Sequence, residues 1–578
     1  MNPMSLDVPS SVPSSVTPSA RDDQALRCAQ PGEPVGHGAA HTVAQALDMA
    51  ARLWPSHTFI HLLSGTAAAY GLAPCEISYA QTQARVVILR DRYRAAGYGQ
   101  GHRVGLMLDN RPDFLLHWLA LNGLGSSVVP ISGDLRAAEL EYLIDHSEIT
   151  LVVAMPVRHA LLTQAAGAAG RSLAVIGPDA TPPHVPRPAP RAGETPGLAS
   201  ECALLYTSGT TGRPKGCMLS NRYYLLAAEW YAALGGHVSL RVGCERMVTP
   251  LPVNHMNAMA FSVVTMIVTG GAICLVDRFH PEGWWPAVRE ARATVIHYLG
   301  VMPAMLMKAE SCAADRDHHV RFGFGAGVNR SLHAPFEERF GFPLIEGWAM
   351  TETGAGAVLI AHEEPRAVGT NCFGSDVPEV EVRIVSDRGD EAAPDEPGEL
   401  LVRHAGPDPR DGFFSGYLKD PEATEAAWAG GWFHTGDVVS RDAQGLYHFI
   451  DRRKNVIRRS GENIAAVEVE SVLLQHPLVK AVAVAATPDP VRGDEVLACV
   501  ISAQPLADSA RSQAAAAIVE WCLDRLAYFK APGYVAFVEG LPLTPSQKVQ
   551  RGELKLLAAK LPGTPDCIDT RSMKKRRD

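Results

Sequence analysis

The chain reads as an α/β protein built in unequal parts, and three features point there. Apolar strand-like runs alternate with helix-spaced stretches from about residue 41, the order that βαβ units and a parallel sheet require. Between about 366 and 450 the pattern turns to short strands separated by Gly and Asp turns, which suits a small β-barrel or antiparallel layer. Beyond Asp451 a smaller α+β unit follows with its own helix and strand runs. The expected organisation is a disordered leader at 1–40 and a large N-terminal domain of α/β subdomains plus the β-barrel layer at 41–450. A smaller C-terminal domain at 451–560 and a tail at 561–578 complete it.

In chain order, residues 1–40 are rich in Ser, Pro and Gly and lack an apolar run, unlike a secretory signal. Residues 104–108 form a short apolar strand run. The next stretch, 111–121, sets Phe114, Leu115, Trp118 and Leu121 at helical spacing, and 127–131, 151–153 and 173–176 return to strand. The Pro-rich stretch from Pro182 to Pro196 predicts a flexible surface link. Residues 203–205 lead into a Gly/Thr-rich loop, and Ser220 is the expected N-cap of the following helix. Met247 to Val276 lacks Asp, Glu, Lys and Arg and is long enough to span a bilayer. Pro250, Pro252, Asn254, His255, Asn257 and the Gly270-Gly271 pair interrupt it, and lipid does not tolerate irregular backbone. No membrane span is expected, and 272–276 reads as a buried strand. Residues 381–385, 398–402 and 445–450 give the short strands of the β layer. Past Asp451, 464–474 reads as a helix stopped by Pro477, 479–485 and 496–501 as strands, and 518–526 as a helix.

Composition excludes several partners. With 53 Lys and Arg against 62 Asp and Glu, the chain carries a net charge of −9, whereas nucleic-acid binding needs a basic surface to displace counterions. The basic cluster Lys574 to Arg577 sits at the extreme end and reads as a solvated tail. Eleven cysteines are scattered without a Cys-x-x-Cys pair, which predicts reduced thiols and neither a disulfide framework nor a zinc site. A cytoplasmic protein is expected, and a homodimer is left open.

The stretch from Tyr206 to Gly216 reads Tyr-Thr-Ser-Gly-Thr-Thr-Gly-Arg-Pro-Lys-Gly. Gly209, Gly212 and Gly216 let backbone amides turn toward an anion. Thr207, Ser208, Thr210 and Thr211 add hydroxyl donors and Lys215 adds a point charge, so the loop has the parts needed to hold a polyphosphate. The spacing is not that of a P-loop, because Lys215 comes three residues after Gly212 and precedes Gly.

This loop resembles the signature of the adenylate-forming superfamily of acyl-CoA synthetases, amino-acid adenylation domains and luciferases. The resemblance runs over roughly 45–558, with further motifs in the family's order. By it, Glu346 to Thr353 is the element in which Thr351 contacts the α-phosphate and Glu352 helps to hold Mg²⁺, a role a lone carboxylate suits. Trp348 and Ala349 replace the usual Tyr and Gly there, and Trp348 would lie against adenine. Gly325, Ala326 and Gly327 resemble the adenine-side strand and loop, and Asp437 the acceptor for the ribose hydroxyls. Arg452 would bind ribose or phosphate, Lys454 would be the hinge of a mobile C-terminal domain, and Asp451 stands where the family has Gly. Lys548 matches the adenylation lysine, with Gln547 in place of a Gly before it. Ser460 and Gly461 resemble the loop that faces coenzyme A. His255 matches the acyl-pocket gate, with Gly325 beside it. Met256 replaces the Asp that holds an α-ammonium, so an amino acid is disfavoured.

The resemblance implies an ATP-dependent acyl-CoA ligase using Mg²⁺, closest to the crotonobetaine/carnitine–CoA ligase branch and acting on a small or medium carboxylic acid. Positioning and charge neutralisation by Mg²⁺, Lys215 and Lys548 dominate such chemistry. Three other readings stay open: transfer to a carrier-protein thiol, an ATP-binding homologue without catalysis and, weakest because the lysine spacing is wrong, a P-loop phosphotransferase.

Overall fold

The computed structural model describes residues 34–35, 38–135, 137–186, 188–191, 193–207, 214–386, 388–452, 455–459, 462–489, 492–526, 528–543 and 548–574. The N-terminal part is built on two large sheets. In the eight-stranded sheet, six strands run parallel: Leu344–Trp348, Phe322–Ala326, Val295–Leu299, Arg246–Thr249, Ala272–Leu275 and Thr58–Leu62, in that spatial order. In the seven-stranded sheet, Glu201–Thr207, Ser127–Pro130, Arg103–Met107, Leu151–Ala154 and Ala174–Ile176 are parallel neighbours. All four residues of Ser127–Pro130, Leu151–Ala154 and Ala272–Leu275 are buried, as parallel strands covered on both faces must be. The helix Pro112–Asn122 is buried at every position but Asp113.

A four-stranded antiparallel sheet follows, from Val380–Val385, Gly398–His404, Phe433–Arg441 and Tyr447–Arg452. This is the layer expected between 366 and 450. The last unit is a six-stranded sheet, with Val479–Asp489 and Gly493–Ser502 as its long antiparallel pair. Ala466–Leu473, Asp508–Leu523 and Arg551–Ala558 are α-helices packed on it.

Several expectations need correction. The leader does not reach residue 40 as a free segment: Val35 donates its N–H to Val268 O at 2.9 Å and is buried, and the Gly38 N–H reaches Glu229. The Pro-rich link is tied down, with the Val185 N–H on Ala96 O and the Arg191 N–H on Gln100 O. Ile464 and Ala465 are strand, not helix, because Ile464 pairs with Ile457. The helix expected at 518–526 begins ten residues earlier, at Asp508, where alanines conceal the apolar period. The segment 561–578 is not simply a tail, since Cys567–Asp569 pairs antiparallel with Tyr534–Phe537. Lys574, read as solvated, is buried against Glu495. Cys244 is disulfide-bonded, so the reading of every cysteine as a reduced thiol fails there. Among the described residues, no helix is long and apolar enough to cross a membrane.

Candidate active site

Parallel strands end in loops on one edge of their sheet, and ligands bind beyond those carboxyl ends. Several of the sequence-selected residues lie at such ends. Thr207 closes the strand Glu201–Thr207, Ala326 closes Phe322–Ala326, and Trp348 closes Leu344–Trp348. The loop after Arg246–Thr249 carries His255.

Lys215–Ser220 runs back antiparallel to Glu201–Thr207, with Lys215 opposite Thr207, so the glycine-rich sequence lies between two paired strands. The expected helix starts only after this strand, at Asn221, with Ser220 capping it by accepting the Tyr223 N–H. Ser208, Gly209, Thr210, Thr211 and Gly212 lie outside the described residues, as do Lys454, Ser460 and Gly461. The ammonium of Lys215 lies 4.5 Å from the centre of the Tyr417 ring. Tyr417 in turn donates its hydroxyl to Glu352 Oε1 at 3.0 Å, and Glu352 is buried. Tyr223 donates to the carbonyl of Thr351 at 2.9 Å and so fixes the backbone beside Glu352. Neither tyrosine carries a spacing signal in the sequence, and both were missed.

Gly325 is buried, and a Cβ there would stand 2.3 Å from Tyr298 O. Its glycine is a packing requirement of the strand, whereas Ala326 and Gly327 are exposed at its open end. Glu346 is buried and accepts the Val328 N–H at 2.7 Å, so it braces the turn after Gly327, and burial pushes its carboxyl up. Trp348 is also buried, with its indole N–H on Asp437 Oδ2 at 2.9 Å. Among the described residues Asp437 Oδ1 accepts no hydrogen bond, and Arg452 Nε stands 3.4 Å away. A buried carboxylate oxygen left open in a charged cleft fits a ligand hydroxyl. Asp451, the substitute for glycine, accepts from Asn455 and from the N–H groups of Arg452 and Val467, tying the chain between the units.

The His255 loop is held from the other sheet. Asn110 donates to Leu251 O and Val276 O and accepts the Val253 N–H, at 3.1, 2.8 and 2.9 Å. Met256 is packed into the core at the start of a π-helix, Asn257–Val264, a form concentrated at functional sites. His255 opens onto the cleft yet is ringed by protein, and that crowding, with the charge of Lys548, pushes its imidazole down to about 4. Lys548 is itself held below the ordinary lysine range by desolvation and by Arg452. The charge of Lys548, from the C-terminal unit, is therefore felt by His255, and that of Arg452 by Lys548.

Glu352 offers a hard carboxylate donor of the kind Mg²⁺ takes together with phosphate and water. Among the described residues, no cluster of three or more His, Cys, Asp or Glu side chains forms a metal cage.

Residues 50–418 match the AMP-binding enzyme family, and 468–548 match the AMP-binding enzyme C-terminal domain. A feruloyl-CoA synthase from an Amycolatopsis species is 32% identical over 490 residues, covering 83% of this chain and 93% of that protein. A crotonobetaine/carnitine–CoA ligase from Salmonella paratyphi A is 28% identical over 504 residues, with the same coverage. Among solved structures, an o-succinylbenzoate CoA synthetase from Bacillus subtilis, bound to its acyl-adenylate, shares the fold. Its TM-score is 0.73 at 23% identity, over 88% of this chain and 97% of that one. The chain belongs to the AMP-binding enzyme family, as an AMP-forming acid–thiol ligase of the acyl-CoA synthetase kind.

Proposed function

We propose that the chain activates a small or medium carboxylic acid and passes its acyl group to coenzyme A in the cleft described above. The observation that supports this reading is a chain of neighbours: Lys215 and Glu352 share Tyr417, Asp437 faces Arg452 at 3.4 Å, and the charge of Lys548 acts on His255. In the first step a carboxylate oxygen bonds to the α-phosphorus of ATP, and the bond to the bridging oxygen breaks to release pyrophosphate. Lys215 and the hairpin loop bind the polyphosphate, Thr351 meets the α-phosphate, and Lys548 bridges the incoming carboxylate and the phosphate. Mg²⁺ held by Glu352 would supply charge neutralisation between phosphate oxygens. The adenine lies against Ala326 and Gly327, and the ribose against the open Asp437 Oδ1 and Arg452. In the second step the thiol sulfur of coenzyme A bonds to the acyl carbon and AMP leaves.

The division into a domain at 41–450 and one at 451–560, turning about Lys454, serves this two-step chemistry. Rotation would withdraw Lys548 and bring Ser460 and Gly461 to the cleft. Dependence on ATP and coenzyme A fits a cytoplasmic setting. The neutral His255 and the apolar Met256 favour an acid without an α-ammonium group, as with the aromatic and short-chain acids named for the relatives.

The test is AMP release by the purified protein with ATP, Mg²⁺ and a panel of carboxylic acids, with and without coenzyme A, products read by mass. AMP with a matching acyl-CoA is expected. An acyl-adenylate that persists unchanged when coenzyme A is added would move the assignment to a carrier-protein thiol.

A further inference from the structure

Tyr417 lies between the two groups of opposite charge on which the first step depends. Its ring face meets the Lys215 ammonium at 4.5 Å, and its hydroxyl meets Glu352 Oε1 at 3.0 Å. Its place is fixed by the backbone on both sides. The strand Gly416–Tyr417 pairs antiparallel with Lys215–Ser220, with Tyr417 opposite Cys217. The Leu418 N–H donates to Gly216 O at 2.8 Å, and the Tyr417 N–H donates to Thr424 Oγ1 at 2.9 Å. The Phe414 N–H takes the main-chain carbonyl of Glu352 at 2.9 Å, and its ring packs edge-on to Tyr417 at 4.8 Å. One short segment thus grips both the strand that carries Lys215 and the turn that carries Glu352.

The chemistry explains why a tyrosine is used. A lysine and a carboxylate in a shared, partly desolvated cleft attract strongly, and an ion pair between them would have to be broken whenever nucleotide entered. A phenol offers both charges a partner without joining them. Its negative ring face attracts the ammonium, and its O–H donates to the carboxylate. We propose that Tyr417 is a positioning residue for nucleotide and cation, holding Lys215 and Glu352 apart and presenting each to its own ligand. This rests on the roles given to Lys215 and Glu352 above.

The test uses the full chain as wild type, Tyr417→Phe and Tyr417→Leu, with thermal midpoints measured first. ATP binding is titrated calorimetrically in EDTA, Mn²⁺ binding is followed by EPR with a non-hydrolysable ATP analogue, and adenosine serves as a phosphate-free control. Tyr417→Phe keeps the ring, so metal-free ATP affinity stays within about twofold of wild type, while loss of a hydrogen bond to a charged group weakens Mn²⁺ binding about tenfold. Tyr417→Leu adds a loss of about fivefold in metal-free ATP affinity, the scale of a cation–π contact. Adenosine affinity is unchanged in all three. Wild-type Mn²⁺ affinity in Tyr417→Phe would overturn the proposal, as would an adenosine loss equal to the ATP loss in Tyr417→Leu. These readouts are independent of turnover. A wild type that binds ATP and Mn²⁺ but releases no AMP with any acid would remove the ligase reading and still decide the role of Tyr417.

Discussion

Trp348 donates its indole N–H to Asp437 Oδ2 at 2.9 Å, across 89 residues of sequence. One oxygen of the carboxylate is thereby satisfied by protein, while the other, Oδ1, accepts no hydrogen bond among the described residues and faces Arg452 Nε at 3.4 Å. Burial raises the Asp437 pKa, whereas Arg452 and the Trp348 bond pull it down. Trp348→Phe removes one of those restraints, so the carboxyl rises further and stays protonated to higher pH. A protonated carboxyl is a poor acceptor for ribose hydroxyls, so the acid limb of ATP binding shifts to higher pH in the variant. The lost bond also costs about 1.5–3 kcal/mol of stability, the range for hydrogen bonds to charged groups. Calorimetric ATP titrations across pH 4–7 check the first effect, and denaturant midpoints the second. A uniform loss of affinity at every pH would contradict the account.

His255 should be neutral throughout the working pH range, because protein crowding and the Lys548 charge hold its imidazole down to about 4. Removing the positive charge relieves part of that depression. In Lys548→Ala the imidazole pKa therefore moves up toward the ordinary value of 6.5. NMR titration of the His255 ring proton in the two proteins measures this. An unchanged midpoint would mean that Lys548 does not approach the acyl side of the cleft in solution.

What the sequence made legible was local. The strands at 104–108, 127–131 and 151–153 and the Ser220 cap follow from apolar runs and one side chain's short reach, and each is present. Asp437, Arg452 and Lys548 could be selected by motif order. What joins them could not, because the decisive contacts span long separations. Tyr417 and Glu352 are 65 residues apart, and Lys574 and Glu495 are 79 apart. No spacing rule marks such partners. The hairpin carrying Lys215 was hidden for another reason: its return strand is only six residues long and merges into the helix signal after Ser220.

The C-terminal cluster offers a stability test. Glu495 accepts both a buried Lys574 ammonium at 2.5 Å and two contacts from Arg459 at 2.9 Å. Glu495→Gln leaves two buried cations without their carboxylate, whereas Lys574→Met leaves the Arg459–Glu495 pair intact. Breaking a buried pair costs about 3–5 kcal/mol, so Glu495→Gln lowers the unfolding midpoint more than Lys574→Met. The pH dependence has a fixed sign. Desolvation pushes Lys574 down to about 8 from an ordinary value of 10.5. Between those values the unfolded chain binds more protons than the folded one, so this group makes stability rise with pH there. It is lost as pH falls through the folded value. Midpoints measured from pH 7.5 to 10.5 should show that rise in wild type and a shallower one in Lys574→Met.

Gly300 stands outside every motif, yet it packs against the turn that the proposed function puts beside adenine. Its N–H donates to Ala326 O at 2.9 Å, and a Cβ on it would lie 1.6 Å from Gly327 O. Gly327 has open space around its own Cβ position but a φ of +81°, so Gly327→Ala meets only backbone strain of about 1–2 kcal/mol. Gly300→Ala instead forces the 325–328 turn to move, because the obstacle is backbone that no rotamer change can relieve. The turn carries Ala326 and Gly327, and its Val328 N–H is bonded to Glu346, so displacement breaks that brace as well. AMP affinity should fall at least about tenfold further in Gly300→Ala than in Gly327→Ala, a gap of about 1.4 kcal/mol. Equal losses in the two variants would mean that the turn yields without disturbing the nucleotide, and that the close approach of Gly300 is packing alone.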